Sequence, residues 1–349
     1  MSVFDHSEFD QHESVHYFSD EATGLRAIIA VHSTALGPGA GGTRRWVYRD
    51  DAEALTDVLR LSRGMTYKNA VAGLRFGGGK AVILADDDTP KSPELFRAFG
   101  SCVDSLSGRY ITAEDVGCSV NDMRYVHEET EFVSGLPKSG KDAGGDPSPW
   151  TALGCFEGIE AAVAARLGAD SVKGLRVAVQ GVGHVGLYLC KHLHEAGAEL
   201  FISDVNSDHL QQTLEAVPAT VVPAPDLLFA DVDVLAPCAL GNILTSTTIP
   251  KIKAKIIAGG ANNQLSTPED GARLAEHDIL YAPDYVINAG GIINVAHEYY
   301  GKTSEDDVRA DVGRIKDRLK KIFAEAKETG RPTNELADEL ARKLVAAGR

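Results

Sequence analysis

No apolar run in this sequence approaches the ~18 residues that a membrane-spanning helix requires. Cysteine is sparse. Cys102, Cys118, Cys155, Cys190 and Cys238 are dispersed with no CxxC pair, which argues against a disulfide framework and against a thiolate zinc site. HExxH is absent, and His192 and His194, two apart, would point to different sides of a helix, so no metal site is expected. A basic excess is missing too: 35 Lys+Arg stand against 50 Asp+Glu, a net charge of −15. Such a surface repels phosphate backbones and anionic lipid, so nucleic-acid and membrane partners are not expected. The opening MSVFDHSEFDQHES lacks early Lys/Arg followed by an apolar block. A secretory leader is therefore not expected, and a cytoplasmic location is. What remains is an ordinary globular mixture, 44% hydrophobic and 24% charged over 349 residues, a length that suggests two domains.

Within the first part of the chain, Leu25–Val31, Ala81–Ala85 and Arg109–Ala113 read as short strands. Asp51–Met65 and Pro93–Leu106 have helical spacing, and two glycine-rich stretches, Gly37–Gly42 and Gly77–Gly79, interrupt the pattern. Composition shifts at Gly135–Pro149 (GLPKSGKDAGGDPSP) to linker or hinge chemistry. After it comes an Ala-rich helix, Trp150–Leu167. Five apolar runs then alternate with helical or turn segments: Arg176–Gln180, Glu199–Ser203, Ala219–Val222, Val232–Ala236 and Lys255–Ala258. That alternation is the mark of a parallel sheet with helices on both faces. Residues 305–328 and Asn334–Ala346 read as amphipathic helices. The expected organisation is α/β, with a mixed domain over 1–143 and a doubly wound domain over 144–327. Residues 328–349 can return to the first domain.

The strongest local motif is GVGHVG, with Gly181, Gly183 and Gly186 in GxGxxG spacing between the strand Arg176–Gln180 and the helix Val185–Ala196. Gly181 permits the tight turn, Gly183 lets the backbone approach a pyrophosphate, and Gly186 allows close helix–strand packing. Val182, His184 and Val185 complete a loop whose free N–H groups face the phosphates. Asp204 ends the next strand, 204 − 186 = 18 residues on. A carboxylate there accepts from ribose hydroxyls and repels a 2′-phosphate, which favours NAD over NADP. FAD domains usually carry this fingerprint near the N-terminus, whereas a whole mixed domain precedes it here.

If the second domain holds NAD, the first must present the substrate. Lys68 and Lys80 stand out because they sit in apolar or glycine-rich surroundings rather than in charged runs. A desolvated lysine exchanges protons near neutrality. GGGKA is not a phosphate loop, since GxxxxGK[ST] fails at Leu74 and at Ala81. Asp115 follows the strand Arg109–Ala113, in a loop position where functional groups concentrate.

Seven ordered segments, GPGAGGTR (37–44), GMTYKNAVAGLRFGGGKAVI (64–83), EDVG (114–117), GVGHVG (181–186), APCALGN (236–242), AGGANNQL (258–265) and DYVINAGGIINV (284–295), resemble the leucine/phenylalanine/valine/glutamate dehydrogenase family. The resemblance spans almost the whole chain. It implies a substrate and oligomerisation domain, a Rossmann NAD domain, a cleft between them, and a homo-oligomer of anything from two to eight subunits. It further implies that Lys68 and the backbone around Gly41 and Gly42 bind the substrate α-carboxylate. Lys80 would activate the attacking water, kept neutral by repulsion from Lys68. Asp115 would shuttle a proton at the amino nitrogen. Asn262 would hold substrate against the nicotinamide, and Thr151 would bond the carboxamide. Cys238, Ala239 and Asn288 belong, on the same grounds, to the cofactor site with Asn262.

The resemblance also bears on the substrate side chain. Glutamate-specific relatives carry a lysine and a serine where this chain has Ala40 and Val295, neither of which can pair with a charge. Ala113 and Ile292 are the other expected walls. Leucine-specific relatives usually have Leu at position 40. Alanine there frees room for phenylalanine, while Ile292 takes some back. The expectation is NAD-dependent oxidative deamination of an apolar L-amino acid, branched-chain before phenylalanine. Two rival classes are a non-catalytic NAD sensor and a hydroxy-acid dehydrogenase. The second would need a His–acid base, for which His297–Glu298, expected at a solvated helix end, is the only tempting pair.

Overall fold

The computed structural model describes residues 2–86, 90–136, 143–239, 241–301 and 304–348. Residues 137–142 of the expected linker lie outside the described set. Two compact units emerge: Met1–Asp146 with Asn294–Glu305 and Ala341–Arg349, and Pro147–Ile293 with Asp306–Leu340.

The first unit contains β1 (Ser14–Asp20), β2 (Leu25–Ser33), β3 (Gly39–Ala40), β4 (Thr43–Trp46), α1 (Asp51–Ala72), β5 (Gly77–Leu84), α2 (Pro93–Asp104), β6 (Tyr110–Ile111) and α3 (Val120–His127). Its sheet runs β1-β2-β5-β3-β6, with β4 also on β5. Strand β2 is apolar on both faces and buried along nearly its whole length. Alternation divides it between two cores. Leu25, Ala27, Ile29 and Val31 join Phe96 and Phe99 of α2, whereas Ile28 and Ala30 join Val58 and Leu59 of α1. Strand β5 divides the same way, with Ala81 and Ile83 on the α2 side and Val82 on the α1 side. Two residues before Val82, Lys80 therefore shares the face that looks onto α1.

Two expectations need correcting here. The glycines Gly77–Gly79 do not interrupt the secondary structure but open β5. Helix α1 does not stop at Met65; it continues to Ala72 and carries Lys68. The two elements pack closely on one another. A Cβ on Gly78 would lie 2.0 Å from Thr66 Oγ1, so only glycine lets the last turns of α1 pack onto β5. Asp50 caps the start of α1 by accepting from the Glu53 N–H, and Gly73 ends it in the left-handed region.

The second unit contains α4 (Ser148–Leu167), β7 (Arg176–Gln180), α5 (His184–Glu195), β8 (Glu199–Ser203), α6 (Ser207–Ala216), β9 (Thr220–Val221), α7 (Ala224–Leu227), β10 (Val234–Pro237), β11 (Ile256–Ile257), α8 (Glu269–Glu276), β12 (Leu280–Tyr281) and α9 (Asp284–Ile287). Helices α10 (Gly290–Tyr300), α11 (Glu305–Thr329) and α12 (Thr333–Ala347) complete the chain. The sheet order is β12-β11-β10-β7-β8-β9, all parallel. This is the doubly wound arrangement, and its order reverses between β7 and β10. Strand β12 was not foreseen because its two residues are too short for a periodicity signal. Among the described residues no helix is long and apolar enough to cross a membrane.

Candidate active site

Strands β3 and β4 both run parallel to β5, with Gly39 opposite Gly77, Ala40 opposite Gly78, and Thr43 opposite Ala81. Continuing that register sets Gly41 and Gly42 beside Gly79 and Lys80, where ladder pairing lapses. The backbone is tightly packed there. A Cβ on Gly41 would sit 2.1 Å from the Gly79 carbonyl, and one on Gly42 would sit 2.4 Å from the Glu114 carbonyl and 3.0 Å from Asp115 Cβ. Two glycines thus bring the backbone between β5 and the loop after β6. The Tyr110 hydroxyl donates to the Gly41 carbonyl at 2.6 Å, and the Gly41 N–H donates to Ile111 at 3.2 Å.

Into this gap reaches Lys80, only 6% exposed, whose Nζ donates to Asp115 Oδ2 at 2.6 Å. Two of the residues singled out in the sequence are therefore in direct contact. The nearest charged partner of Lys80 is thus a carboxylate, that of Asp115. Lys68 lies half-buried on α1. A residue not foreseen joins the pair: Arg44 Nε lies 3.4 Å from the same Oδ2. Burial pushes the Asp115 carboxyl upward, but the Lys80 and Arg44 charges and the lysine hydrogen bond outweigh it and hold the group at about 2. Its neighbour Glu114 behaves oppositely. Burial, together with the charges of Asp146, Glu298 and Asp115, raises that carboxyl to about 7.

Asn69, beside Lys68, was also missed. Fully buried, it donates from Nδ2 to the Gly77 carbonyl at 2.6 Å and to Ala40 at 3.4 Å, tying α1 to both strands. Ala40 is buried against Phe76, Ile111 and Ala296. Ala113 and Val295 are buried as well, and Ile292 is half-buried. Glu298 is not at a solvated helix end as expected. Its carboxylate accepts from the Gly135 and Leu136 N–H groups at 3.0 and 2.9 Å, so it holds a loop and is not offered to a histidine as a catalytic dyad.

In the second unit the fingerprint lies at the C-terminal ends of β7 and β10. Gly181 has φ +86°, and a Cβ there would strike Ala239 at 2.6 Å, while one on Gly186 would be 2.0 Å from the Gly181 carbonyl. Cys238 Cβ borders Gly186, and the Val185 side chain reaches Gly260. Gly183 is different: a Cβ there would meet nothing nearer than His209 at 3.8 Å. Gly183 also caps α5 without any side-chain hydrogen bond, so the exposed start of the helix at His184 keeps its N–H groups for an anion. Asp204 accepts from the Val182 N–H at 2.8 Å and from the Asn206 N–H at 2.9 Å. Burial alone would raise its carboxyl, but those two bonds and His209 lower it, keeping it ionised. Asn288 donates to Asn262 Oδ1 at 2.7 Å, and its own buried Oδ1 has no hydrogen-bond partner. Thr151 donates its hydroxyl to the Pro147 carbonyl at 3.1 Å. An uncapped helix start, an ionised acid at the end of β8 and an orphaned buried amide oxygen fit a dinucleotide.

Comparison with known proteins agrees with this architecture. A family profile described as Glu/Leu/Phe/Val dehydrogenase, dimerisation domain, matches residues 11–132, and one described as Glutamate/Leucine/Phenylalanine/Valine dehydrogenase matches 146–208 and 202–347. The chain is 48% identical over 346 residues to leucine dehydrogenase of Geobacillus stearothermophilus, covering 99% of this chain and 94% of that one. It is 46% identical to valine dehydrogenase of Streptomyces virginiae, covering 99% and 96%. The crystal structure of L-tryptophan dehydrogenase from Nostoc punctiforme matches with a TM-score of 0.83 and 46% identity over 97% of each chain. Fold and site together define a two-unit α/β dehydrogenase. The chain belongs to the Glu/Leu/Phe/Val dehydrogenase family.

Proposed function

We propose that the protein catalyses the NAD-dependent, reversible oxidative deamination of an apolar L-amino acid, with branched-chain substrates preferred. The amino acid, NAD and water give the 2-oxo acid, ammonium, NADH and a proton. The observation that carries this reading is the buried Lys80–Asp115 pair beside the strand break at Gly41–Gly42. Relatives named leucine dehydrogenase at 46–48% identity over nearly the whole chain support it.

Bound NAD supplies the hydride acceptor. Gly181, Gly183, Gly186 and the start of α5 hold its pyrophosphate, and Asp204 takes the ribose hydroxyls. Asn288, Asn262, Thr151, Cys238 and Ala239 line the rest of that site. In the first unit, Lys68 and the Gly41–Gly42 backbone bind the α-carboxylate. Lys80, once deprotonated, accepts a proton from the attacking water. Asp115, kept ionised, exchanges a proton with the amino nitrogen.

Side-chain selection follows from burial. A glutamate carboxylate placed against Ala40 and Val295 would be unpaired at a cost of several kcal/mol, so an acidic substrate is disfavoured. The small Ala40 beside Phe76 favours phenylalanine as the second reading. Homo-oligomerisation through the first unit is part of the same proposal, in keeping with the dimerisation profile it matches. Cytoplasmic location is part of it as well. Steady-state NAD reduction with L-leucine, L-valine, L-phenylalanine and L-glutamate tests the reading. Highest kcat/KM for leucine or valine supports it; dominance of glutamate, or NAD binding without turnover, overturns it.

A further inference from the structure

Resting Lys80 is hydrogen-bonded to a carboxylate that would hold its proton, yet the proposed chemistry needs the free amine. Arg44 bears on this conflict. Strand β4 lies parallel to β5 with Arg44 opposite Val82, on the face that looks onto α1. Its Nη1 donates to both carboxylate oxygens of Asp57 on α1, at 3.2 and 2.9 Å, and the Tyr48 hydroxyl donates to Asp57 at 2.7 Å. So anchored, Arg44 turns its Nε toward Asp115 Oδ2 at 3.4 Å, the very oxygen that receives the Lys80 hydrogen bond. That Nε is buried and has no hydrogen-bond partner of its own. A guanidinium stays charged throughout the working pH range, whereas an ammonium does not.

We propose, building on the reading of Lys80 and Asp115 given above, that Arg44 is a positioning residue that frees Lys80 for proton transfer by sharing the Asp115 carboxylate with it. When Lys80 gives up its proton, Asp115 is left beside a permanent cation rather than alone in a buried site. Arg44 also repels the lysine's proton directly. The other groups facing this cluster are Glu114 in the same loop, Tyr110 of β6, Cys118, and Asp57 on α1. Lys68 lies further along α1. Asp57 is the anion that acts on Arg44 and not on Lys80 by contact, which gives the idea an opposite-signed control.

The test is the pH profile of kcat/KM for L-leucine oxidation at saturating NAD, using the full chain. Arg44→Gln removes the competing cation, so the acid limb should move up by about one pH unit or more. Asp57→Asn removes an anion, so the limb should move down. Arg44→Lys, which keeps the charge, should return the limb most of the way toward the wild type. An unmoved limb in Arg44→Gln, or shifts of the same sign in Arg44→Gln and Asp57→Asn, would overturn the proposal. If Arg44→Gln fails to fold, the downward shift in Asp57→Asn decides alone, and its absence overturns the idea. Lys80→Ala is run alongside: near-wild-type turnover there would instead refute the underlying role of Lys80.

Discussion

In the first unit, a Cβ on Gly41 or Gly78 would collide with backbone or with Thr66 at 2.1 and 2.0 Å, far inside non-bonded contact. In the second unit, a Cβ on Gly183 would touch nothing nearer than 3.8 Å. The first glycines make room for other parts of the protein, so that Lys80, Asp115 and Arg44 can converge. The last leaves open space. On the reading proposed above, one region would work through buried charged side chains whose placement depends on strand register, and the other through backbone N–H groups whose placement depends on one loop. They should fail differently when altered.

The largest effect is expected where side-chain charge matters most. Lys80→Ala should lower kcat by about 10²–10⁴-fold, the range for a lost general base. NAD affinity, measured by NADH fluorescence or calorimetry, should hardly change. A parallel loss of NAD affinity would show that the two regions are not separable as drawn.

The first unit should also respond more to acid. His32 Nδ1 bonds Thr66 Oγ1 at 2.8 Å, and its ring lies 4.8 Å from that of His12, which is held by Leu59 and Ser62. Burial, then the charge of His12, lowers His32 from 6.5 to about 4. Between those values the unfolded chain binds the proton and the folded one does not. Stability from this group is thus complete above 6.5 and lost as pH falls through 4, up to about 3 kcal/mol in all. Glu114 opposes it: raised from 4.5 to about 7, it is protonated in the folded state and loses stability as pH rises across that span. The informative quantity is therefore a difference. His32→Phe should make the slope of stability against pH less positive than in the wild type between pH 4 and 6.5, as followed by denaturant unfolding. An unchanged slope would place the titration elsewhere.

How far the sequence revealed each region follows from the same contrast. The strand–glycine turn–helix with Asp204 beside it was readable in the sequence because glycine spacing, flanking strand and helix, and the acid are all local. Lys80 and Asp115 could be singled out, but their contact could not, since 35 residues separate them and the β3–β5–β6 pairing brings them together. Arg44 stood inside a recognised segment, but no local pattern set it apart. Its role appears only when the β4–β5 register points it at α1. Glu298 was misjudged because its partners are backbone groups at residues 135 and 136, which no side-chain pattern announces.

Gly183→Ala sharpens the comparison from the other side. With open space around the added methyl, the folded state should keep its stability within about 1 kcal/mol, while NAD affinity falls by roughly tenfold or more as the methyl meets the pyrophosphate. Gly186→Ala should do the reverse, unfolding the unit because its Cβ would lie 2.0 Å from the Gly181 carbonyl. Equal destabilisation by both would erase the distinction between a glycine that admits ligand and one that admits protein.

The smallest effect belongs to Ala40, where packing and not charge is at stake. Its neighbours Phe76 and Ile111 are fully buried, and on the proposed reading a larger side chain at position 40 takes space from the substrate side chain. Ala40→Leu should therefore lower kcat/KM for phenylalanine relative to leucine by about 10-fold, the scale set by 1–3 kcal/mol of apolar discrimination. The pH profile should stay where it was, because Ala40 carries no charge toward Lys80. A ratio that does not move would mean that position 40 does not face the substrate side chain. A limb that shifts would mean that packing at β3 reaches the ion cluster through the Gly41–Gly42 break.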